Sequence, residues 1–467
     1  MKKILFLLLP IYVNAATYSY NNTQVALLNS ESQNVWAAGD DITLLNGTWT
    51  GNMILNFRGN GTAAQPITIH AQTPGSVILT GGSVIQINGD YNIVSGLLFQ
   101  SGPWNLANNA VVLFGSGSDG SRLTNTVIDN YNHSTLITTG SPKYWINMQG
   151  KYNRVDHCEF INKRDLGPVI NMVATANKFY QVDNCLFGLR TTIGKNGNED
   201  IRIGSGAGTN SIPVYATVND NVFKDFSADQ EVISNKCSYN TFRHNTFINS
   251  TGAMTLRACS NSQIRDNFFL NGAAGVKVHG GNQQIVNNYF EGLTGSGLAP
   301  ALVFMEGSFA TGCGYLDEAD ETKLPPAKNI RVDSNTFSNC TQFIATGYDY
   351  GGSSGRVLDP SFVSYTGNIF QFSTVGRKLD SLITHKIIFD YASNFYHSVA
   401  LDASLLNATG WTSIDPLLVD DGDGVKRISL SSPAAIRALD TTPKLIYSQT
   451  STIVPITEAE IGVTWTF

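Results

Sequence analysis

The sequence predicts an all-β chain folded as a single-domain right-handed parallel β-helix, a solenoid of stacked coils, with an irregular C-terminal segment. Three observations predict it. A short phrase recurs as VSGLLF (94–99), VDHCEF (155–160), VDNCLF (182–187), VNDNVF (218–223), FRHNTF (242–247), IRDNFF (264–269), IVNNYF (285–290) and VDSNTF (332–337), always with an apolar residue five positions before an aromatic. An Asn stands two positions before that aromatic at Asn221, Asn245, Asn267, Asn288, Asn335 and Asn368. Between Phe160 and Phe290 the copies are about 21 to 36 residues apart, the step of a solenoid.

Each copy is a short apolar run rich in β-branched or aromatic residues and bounded by Asn, Gly, Asp and Ser, which reads as a strand followed by a tight turn. No stretch carries a sustained helical stripe, so the crossovers between parallel strands are not helices. Coils built this way lie about 4.8 Å apart. Equivalent residues then stack, so the Asn column hydrogen-bonds along the axis while the Phe column fills the interior. A leucine-rich repeat is disfavoured because no L-x-x-L-x-L pattern occurs. A propeller is disfavoured because each period holds too few alternating strands.

The chain divides into three parts. Residues 1–15, MKKILFLLLPIYVNA, carry two lysines, an apolar run, and Val13 and Ala15 ahead of a cut before Ala16. This is the pattern of a secretory signal peptide, too short to span a membrane, and it implies a secreted or periplasmic protein. Residues 16–385 form the β-helix, and 386–467 form end coils and an extension packing on the same domain. In the latter, DDGDG (420–424) reads as a plain turn, since no Glu follows at the twelfth position of a calcium loop. With no second β-helix after residue 385, a monomer is expected.

Export permits disulfides, and the chain has six Cys. Cys158 and Cys185 fall in the column later occupied by Asn, where stacked thiols or a bridge both fit. Cys313, in an irregular insertion, and Cys340 are the better disulfide candidates. No C-x-x-C pair exists, which sets zinc ribbons aside.

Charged residues make up only 14% of the chain, and the formal net charge is −6. No basic stripe or known module points to nucleic acid. A polyanionic ligand would have to be steered by a local basic groove.

A filled solenoid interior leaves function to an outer face, and its extended surface suits a long polymer. The densest cluster of reactive side chains lies between residues 190 and 280. Asp229 and Glu231 alternate as on one strand face, Lys236 follows, and Arg257 comes almost one coil later. Lys236 and Arg257 are therefore expected on adjacent coils of one face. A lysine beside an arginine has its charged form disfavoured, which moves it toward use as a general base. The nearby carboxylates suit a hard cation or salt bridges. Spacing alone equally fits a solvated ladder of surface charges.

The chain resembles polysaccharide lyase family 6, the alginate lyases and chondroitinase-B-like enzymes, over roughly residues 20–430. The stretches that carry the resemblance are LNGTWTGNMILNFRGNGTAAQPITIHAQTPGSVILTGGS (45–83), GKYNRVDHCEF (150–160), NGNEDIRIG (196–204), ISNKCSYNTFRHNTF (233–247) and TLRACSN (255–261). The resemblance implies β-elimination on an anionic polysaccharide, alginate being the expected substrate. Lys236 would be the Brønsted base. Arg257 would be the acid or the stabiliser of the leaving oxygen, since a guanidinium hardly gives up a proton. Arg190, Lys195, Arg202, Lys277 and His279 are candidate substrate-binding residues, His279 sharing a strand face with Lys277.

Two departures from the family pattern bear on cofactors. The family's calcium site resembles Glu-x-Glu plus an upstream Asn, whereas the matching residues here are Asn196, Asp229 and Glu231 around Gln230. Shortening one Glu moves a ligand oxygen by about a methylene, large against a calcium–oxygen distance of about 2.3–2.6 Å. The family commonly has His after the Arg, where this chain has Ala258. The expectation is therefore no required cofactor, with Lys195 or Arg202 neutralising the substrate carboxylate. Calcium at Asn196, Asp229 and Glu231 is the alternative. Rival readings are a dermatan or chondroitin sulfate lyase and a non-catalytic glycan-binding β-helix.

Overall fold

The computed structural model describes residues 15–102, 109–205, 212–257, 259–296, 299–307, 324–348, 356, 358–373, 377–379, 387–400, 409–420, 422–423, 425–439 and 457–465. The signal-peptide reading (but for Ala15), Cys313 and Ala258 lie outside the described residues.

Three long sheets of 14, 14 and 11 strands run along the molecule, with every pairing within them parallel. Each coil gives one strand to each sheet. Arg154–Asp156 lies in the first, Glu159–Ile161 in the second and Ile170–Met172 in the third, before Gln181–Asp183 starts the next coil. This is a parallel β-helix, as the repeats predict.

The recurring phrase builds the corner between the first and second sheets. Its turn residue is left-handed at Asn184, Asp220, His244, Asp266 and Asn287, with φ of 52°, 56°, 52°, 60° and 55°. Asn and Asp tolerate that conformation because a short polar side chain bonds locally. The next residue carries the ladder. Asn245 Nδ2 donates to Asn267 Oδ1 at 3.0 Å and to the Val218 carbonyl at 2.9 Å, and the Asn245 amide also donates to Asn267 Oδ1 at 3.0 Å. The pattern repeats through Asn288, Asn335 and Asn368 to Asn394, so the ladder continues past residue 385, where the phrase is no longer legible.

Inside the same corner, Phe187, Phe223, Phe247, Phe269, Phe290, Phe337 and Phe370 stack with centroids 4.6–4.8 Å apart and planes within 10°. That distance is the strand spacing, so the rings inherit the coil repeat. Cys158 and Cys185 take the ladder position in earlier coils as buried free thiols, each donating to the carbonyl two residues before it. Cys340 is likewise a free buried thiol bonded to the Ser338 carbonyl, which corrects the expected Cys313–Cys340 bridge.

Both ends are covered. Helix Val25–Asn34 lies on the outermost strand of the third sheet, Ile54–Phe57. There Asn29 Nδ2 and Ser32 Oγ donate to the Ile54 and Asn56 carbonyls, closing an edge that would otherwise template pairing. At the other end Ile387–Ala392, Asn394–His397 and Trp411–Ser413 extend the sheets, and the DDGDG region forms an antiparallel hairpin between Val419–Asp420 and Lys426–Arg427. Residues 457–465 run back along the outside of the coils. Lys224 pairs with Glu458, and the Gly462, Val463 and Thr464 amides donate to Asn184, Glu159 and Asn125 in turn. Among the described residues no helix is long and apolar enough to cross a membrane.

Candidate active site

The third sheet brings the chemistry together. Strands Ile201–Ile203, Glu231–Asn235, Ala253–Leu256 and Val276–Val278 lie side by side, with Ile203, Asn235, Leu256 and Val278 in register. The residues that follow them, Gly204, Lys236, Arg257 and His279, therefore form one column on consecutive coils. Backbone bonds from Lys236 to Ile203 and from Arg257 to Asn235, at 2.9 and 2.7 Å, hold it. Lys236 and Arg257 stand one coil apart, as their spacing predicts.

Two depressions lie on this face, one lined by Arg257 and one by Gly204, the residues adjacent to Lys236 in the column, with Lys236 itself lining neither. One, about 550 Å³, is lined by Lys195, Asn196, Asp229, Gln230, Glu231 and Arg257 among others. The other, about 250 Å³, includes Tyr144, Asn171, Arg202 and Gly204. Arg202 is held rigidly there: Nε and Nη2 donate to Asn171 Oδ1 at 3.1 and 3.0 Å, Nη2 donates to the Tyr144 hydroxyl at 3.0 Å, and the guanidinium lies 5.5 Å from the Tyr144 ring centroid. The face carries four cations, Arg202, Lys236, Arg257 and the exposed Lys195, interleaved with the carboxylates of Glu199, Asp229 and Glu231.

The Lys236 side chain is 12% exposed, and its Nζ lies 3.9 Å from Glu199 Oε1. Burial lowers its pKa below the ordinary lysine value. Arg257 and Arg202 push the same way, while Glu199 and Glu231 oppose. The like-charge effect expected from sequence is thus present, but loss of solvent is the larger cause. Arg257, 38% exposed, faces Glu231 with Nη1 3.6 Å from Oε1, leaving much of its guanidinium to solvent.

Asp229 and Glu231 do not alternate along one strand. Asp229 sits in the bend before Glu231–Asn235. The register then shifts between Glu231 and Ile233, so that Val232 is an extra residue and Glu231 is re-aimed by a bulge. Asp229 Oδ2 accepts the Gly197 and Asn198 amides at 2.7 and 2.9 Å, and Oδ1 accepts the Gln230 amide at 2.6 Å. That carboxylate holds the loop carrying Asn196. Glu231 Oε2 is buried without a hydrogen-bond partner, but one such oxygen is far from the six to eight that calcium takes. Among the described residues no three His, Cys, Asp or Glu side chains converge as a metal cage. Asn196, Asp229 and Glu231 line one depression, with Asp229 already accepting three backbone amides and one oxygen of Glu231 open.

Three of the expected substrate-binding residues are buried. Arg190 is 2% exposed: its guanidinium donates to the Gly167 and Glu199 carbonyls and meets Asp200 Oδ1 at 3.3 Å. It is a clamp inside the fold, which corrects its assignment as a substrate ligand. Lys277 and His279 do lie on the site's strand face, but both are buried. His279 Nδ1 is 3.4 Å from the Pro325 carbonyl, on a segment folded over this end of the sheet, and burial drives its pKa well down. Neither meets a ligand in the groove as it stands.

Glu199 is the residue that sequence reasoning passed over. It lies within NGNEDIRIG, the stretch from which Asn196 and Arg202 were taken, and its acidic side chain one coil before Lys236 was the available signal. Burial raises its pKa, against the pull of Lys236 and Arg202. Beside it, burial raises Asp200 to about 7 in spite of Arg190 and Lys163.

A family model described as chondroitinase B matches residues 24–350. Among solved structures, the PL6 family alginate lyase AlyGC is 25% identical over 96% of this chain, with a TM-score of 0.82; the chain spans 59% of that protein's length. A mannuronic acid specific polysaccharide family 6 lyase from human gut microbiota is 25% identical, with 87% of this chain and 92% of that one covered and a TM-score of 0.74. Alginate lyase AlyF-OU02, solved with G6, is 18% identical over 96% of this chain and 95% of its own, with a TM-score of 0.75, a likeness of fold. No curated protein matches the chain. Family and fold thus agree with the resemblance read from the sequence.

Proposed function

This chain belongs to the chondroitinase B family, and from that premise we propose that it is an exported polysaccharide lyase that cleaves alginate by β-elimination. The observation that carries the reading is the pair Lys236 and Arg257, one coil apart on one face, the lysine largely buried and the arginine open to the groove.

The hydrogen at C5 of a uronate is α to a carboxylate and is too weakly acidic until that charge is offset. Arg202, fixed by Asn171 and Tyr144, and Lys195 at the groove are the cations placed to offset it. Neutral Lys236 takes the C5 proton on Nζ. The C5–H electron pair forms the C4–C5 double bond as the C4–O bond breaks. Arg257 stabilises the charge on the departing oxygen by hydrogen bonding, and solvent supplies the proton, because a guanidinium is a poor acid. No step passes through calcium, and turnover is proposed to be independent of it.

Dermatan or chondroitin sulfate is the rival substrate, in keeping with the family's description as chondroitinase B. Incubating the protein with polyguluronate, polymannuronate and dermatan sulfate, with and without chelator, decides between them through the ultraviolet absorbance of the unsaturated uronate. We expect a rise on an alginate block that survives the chelator. A flat trace on all three polymers sinks the lyase reading. A rise confined to dermatan sulfate replaces the substrate.

A further inference from the structure

Proton abstraction leaves a positive charge on a nearly buried amine, and the structure holds a carboxylate ready for it. Glu199 Oε1 lies 3.9 Å from Lys236 Nζ, and the Glu199 side chain is only 3% exposed. Its Oε2 has no hydrogen-bond partner among the described residues. A buried carboxylate left this way is costly to the fold. It is also held from behind. The Glu199 carbonyl accepts the Val169 amide at 3.1 Å and Arg190 Nη1, while Arg190 Nη2 grips the Gly167 carbonyl at 2.6 Å and Asp200 completes the clamp. Arg190 and Asp200 thereby fix the backbone from which Glu199 points at the base.

Resting on the lyase reading above, we propose that Glu199 is a positioning residue for Lys236: its carboxylate orients Nζ toward the groove and stabilises the ammonium formed when the C5 proton arrives. Glu199 itself makes and breaks no covalent bond. The role parallels the carboxylate that orients and stabilises a catalytic histidine. Among the described residues, the charged groups around Lys236 include Glu199 and Arg202 from the preceding coil, Glu231 from its own strand and Arg257 from the next. Glu231 is met by Arg257 at 3.6 Å, whereas Glu199 faces Lys236.

The test separates this role from the lyase reading by measuring the amine directly. Lys236 in the full chain is titrated by competitive acetylation with acetic anhydride across pH, read by peptide mass spectrometry, in wild type, Glu199→Gln and Glu199→Asp. A carboxylate nearby favours the ammonium, so its removal moves the Lys236 midpoint to lower pH. We expect that downward movement in Glu199→Gln and a smaller one in Glu199→Asp. On the polymer, Glu199→Gln should lose about tenfold or more in kcat with KM nearly unchanged, and the rising limb of the pH–rate profile should move down. An unmoved or raised Lys236 midpoint in the folded variants overturns the proposal. Should Glu199→Gln fail to fold, an unmoved midpoint in Glu199→Asp does so. The acetylation midpoint needs no turnover, so an inactive wild type counts against the lyase reading alone.

Discussion

Two sets of buried polar side chains lie on the same coils and are treated in opposite ways. Along the corner of the first and second sheets, Asn221, Asn245, Asn267, Asn288, Asn335 and Asn368 each donate to the next Asn and to a backbone carbonyl. On the third sheet, Glu199 Oε2, Asp200 Oδ2, Glu231 Oε2, Ser234 Oγ and Thr255 Oγ1 are buried without such partners. The first column is scaffold: full hydrogen bonding makes burial of an amide favourable and fixes the coil spacing. The second is a site, where stability is given up to keep charged groups desolvated and available. Removing a side chain should therefore cost activity on one side and stability on the other.

The largest effect is expected on the groove side. Arg257→Ala should lower kcat by about a hundredfold or more, because it removes the proposed donor to the leaving oxygen, with a smaller loss of stability as Glu231 loses its ion pair. A kcat within about threefold of wild type would place that stabilisation elsewhere.

On the scaffold side, Asn267→Ala should destabilise by about 2–4 kcal/mol in denaturant unfolding, since it removes the acceptor of the Asn245 amide and of one Asn245 Nδ2 hydrogen and a donor to the Phe242 carbonyl, all buried. The kcat of the fraction still folded should not change. If the loss is under about 0.5 kcal/mol, the ladder is not what sets the coil spacing.

Arg190→Met blurs the line between the two columns and so sharpens it. It leaves Asp200 buried without its cation and should destabilise by about 3–5 kcal/mol at pH 8. The native state binds the Asp200 proton more tightly than the unfolded chain does, because burial raises that group to about 7. Its contribution to stability is therefore complete below the ordinary carboxylate range and is lost as pH rises toward 7. The Arg190→Met penalty should accordingly shrink when unfolding is repeated at pH 5; a penalty that does not depend on pH would contradict the clamp.

Smallest is Lys195→Ala, on the exposed rim of the groove. A rise of about two- to fivefold in KM that fades with added salt is expected, with a modest fall in kcat and stability unmoved.

The two columns also differ in how far they could be read from sequence. The ladder repeats in every coil, so Asn245 and Phe247 announce Asn267 and Phe269, and with them the fold. The site occurs once. Lys236 and Arg257 were found because the ladder supplies the coil length that places them together. Arg190 was misread because a charge in a family-like stretch looks the same whether it meets substrate or clamps Gly167 and Glu199. Lys277 and His279 were set on the right face, but the segment at Pro325 that covers His279 is a distant part of the chain, and no local pattern reports it. The bulge at Glu231 likewise exists only between two paired strands, so an alternating D-Q-E was taken for a regular strand.

Chemistry on this fold is proposed to sit where buried carboxylate and hydroxyl oxygens lack hydrogen-bond partners, around Lys236, and Lys236→Met tests the role of that amine most directly. Its initial rate on an alginate block is followed by ultraviolet absorbance at matched concentration of folded protein. No detectable rate is predicted in the folded variant, because the amine that takes the C5 proton is gone, and the Tm should fall because the buried Glu199 carboxylate loses its ammonium. A rate within a few-fold of wild type would contradict that role for Lys236.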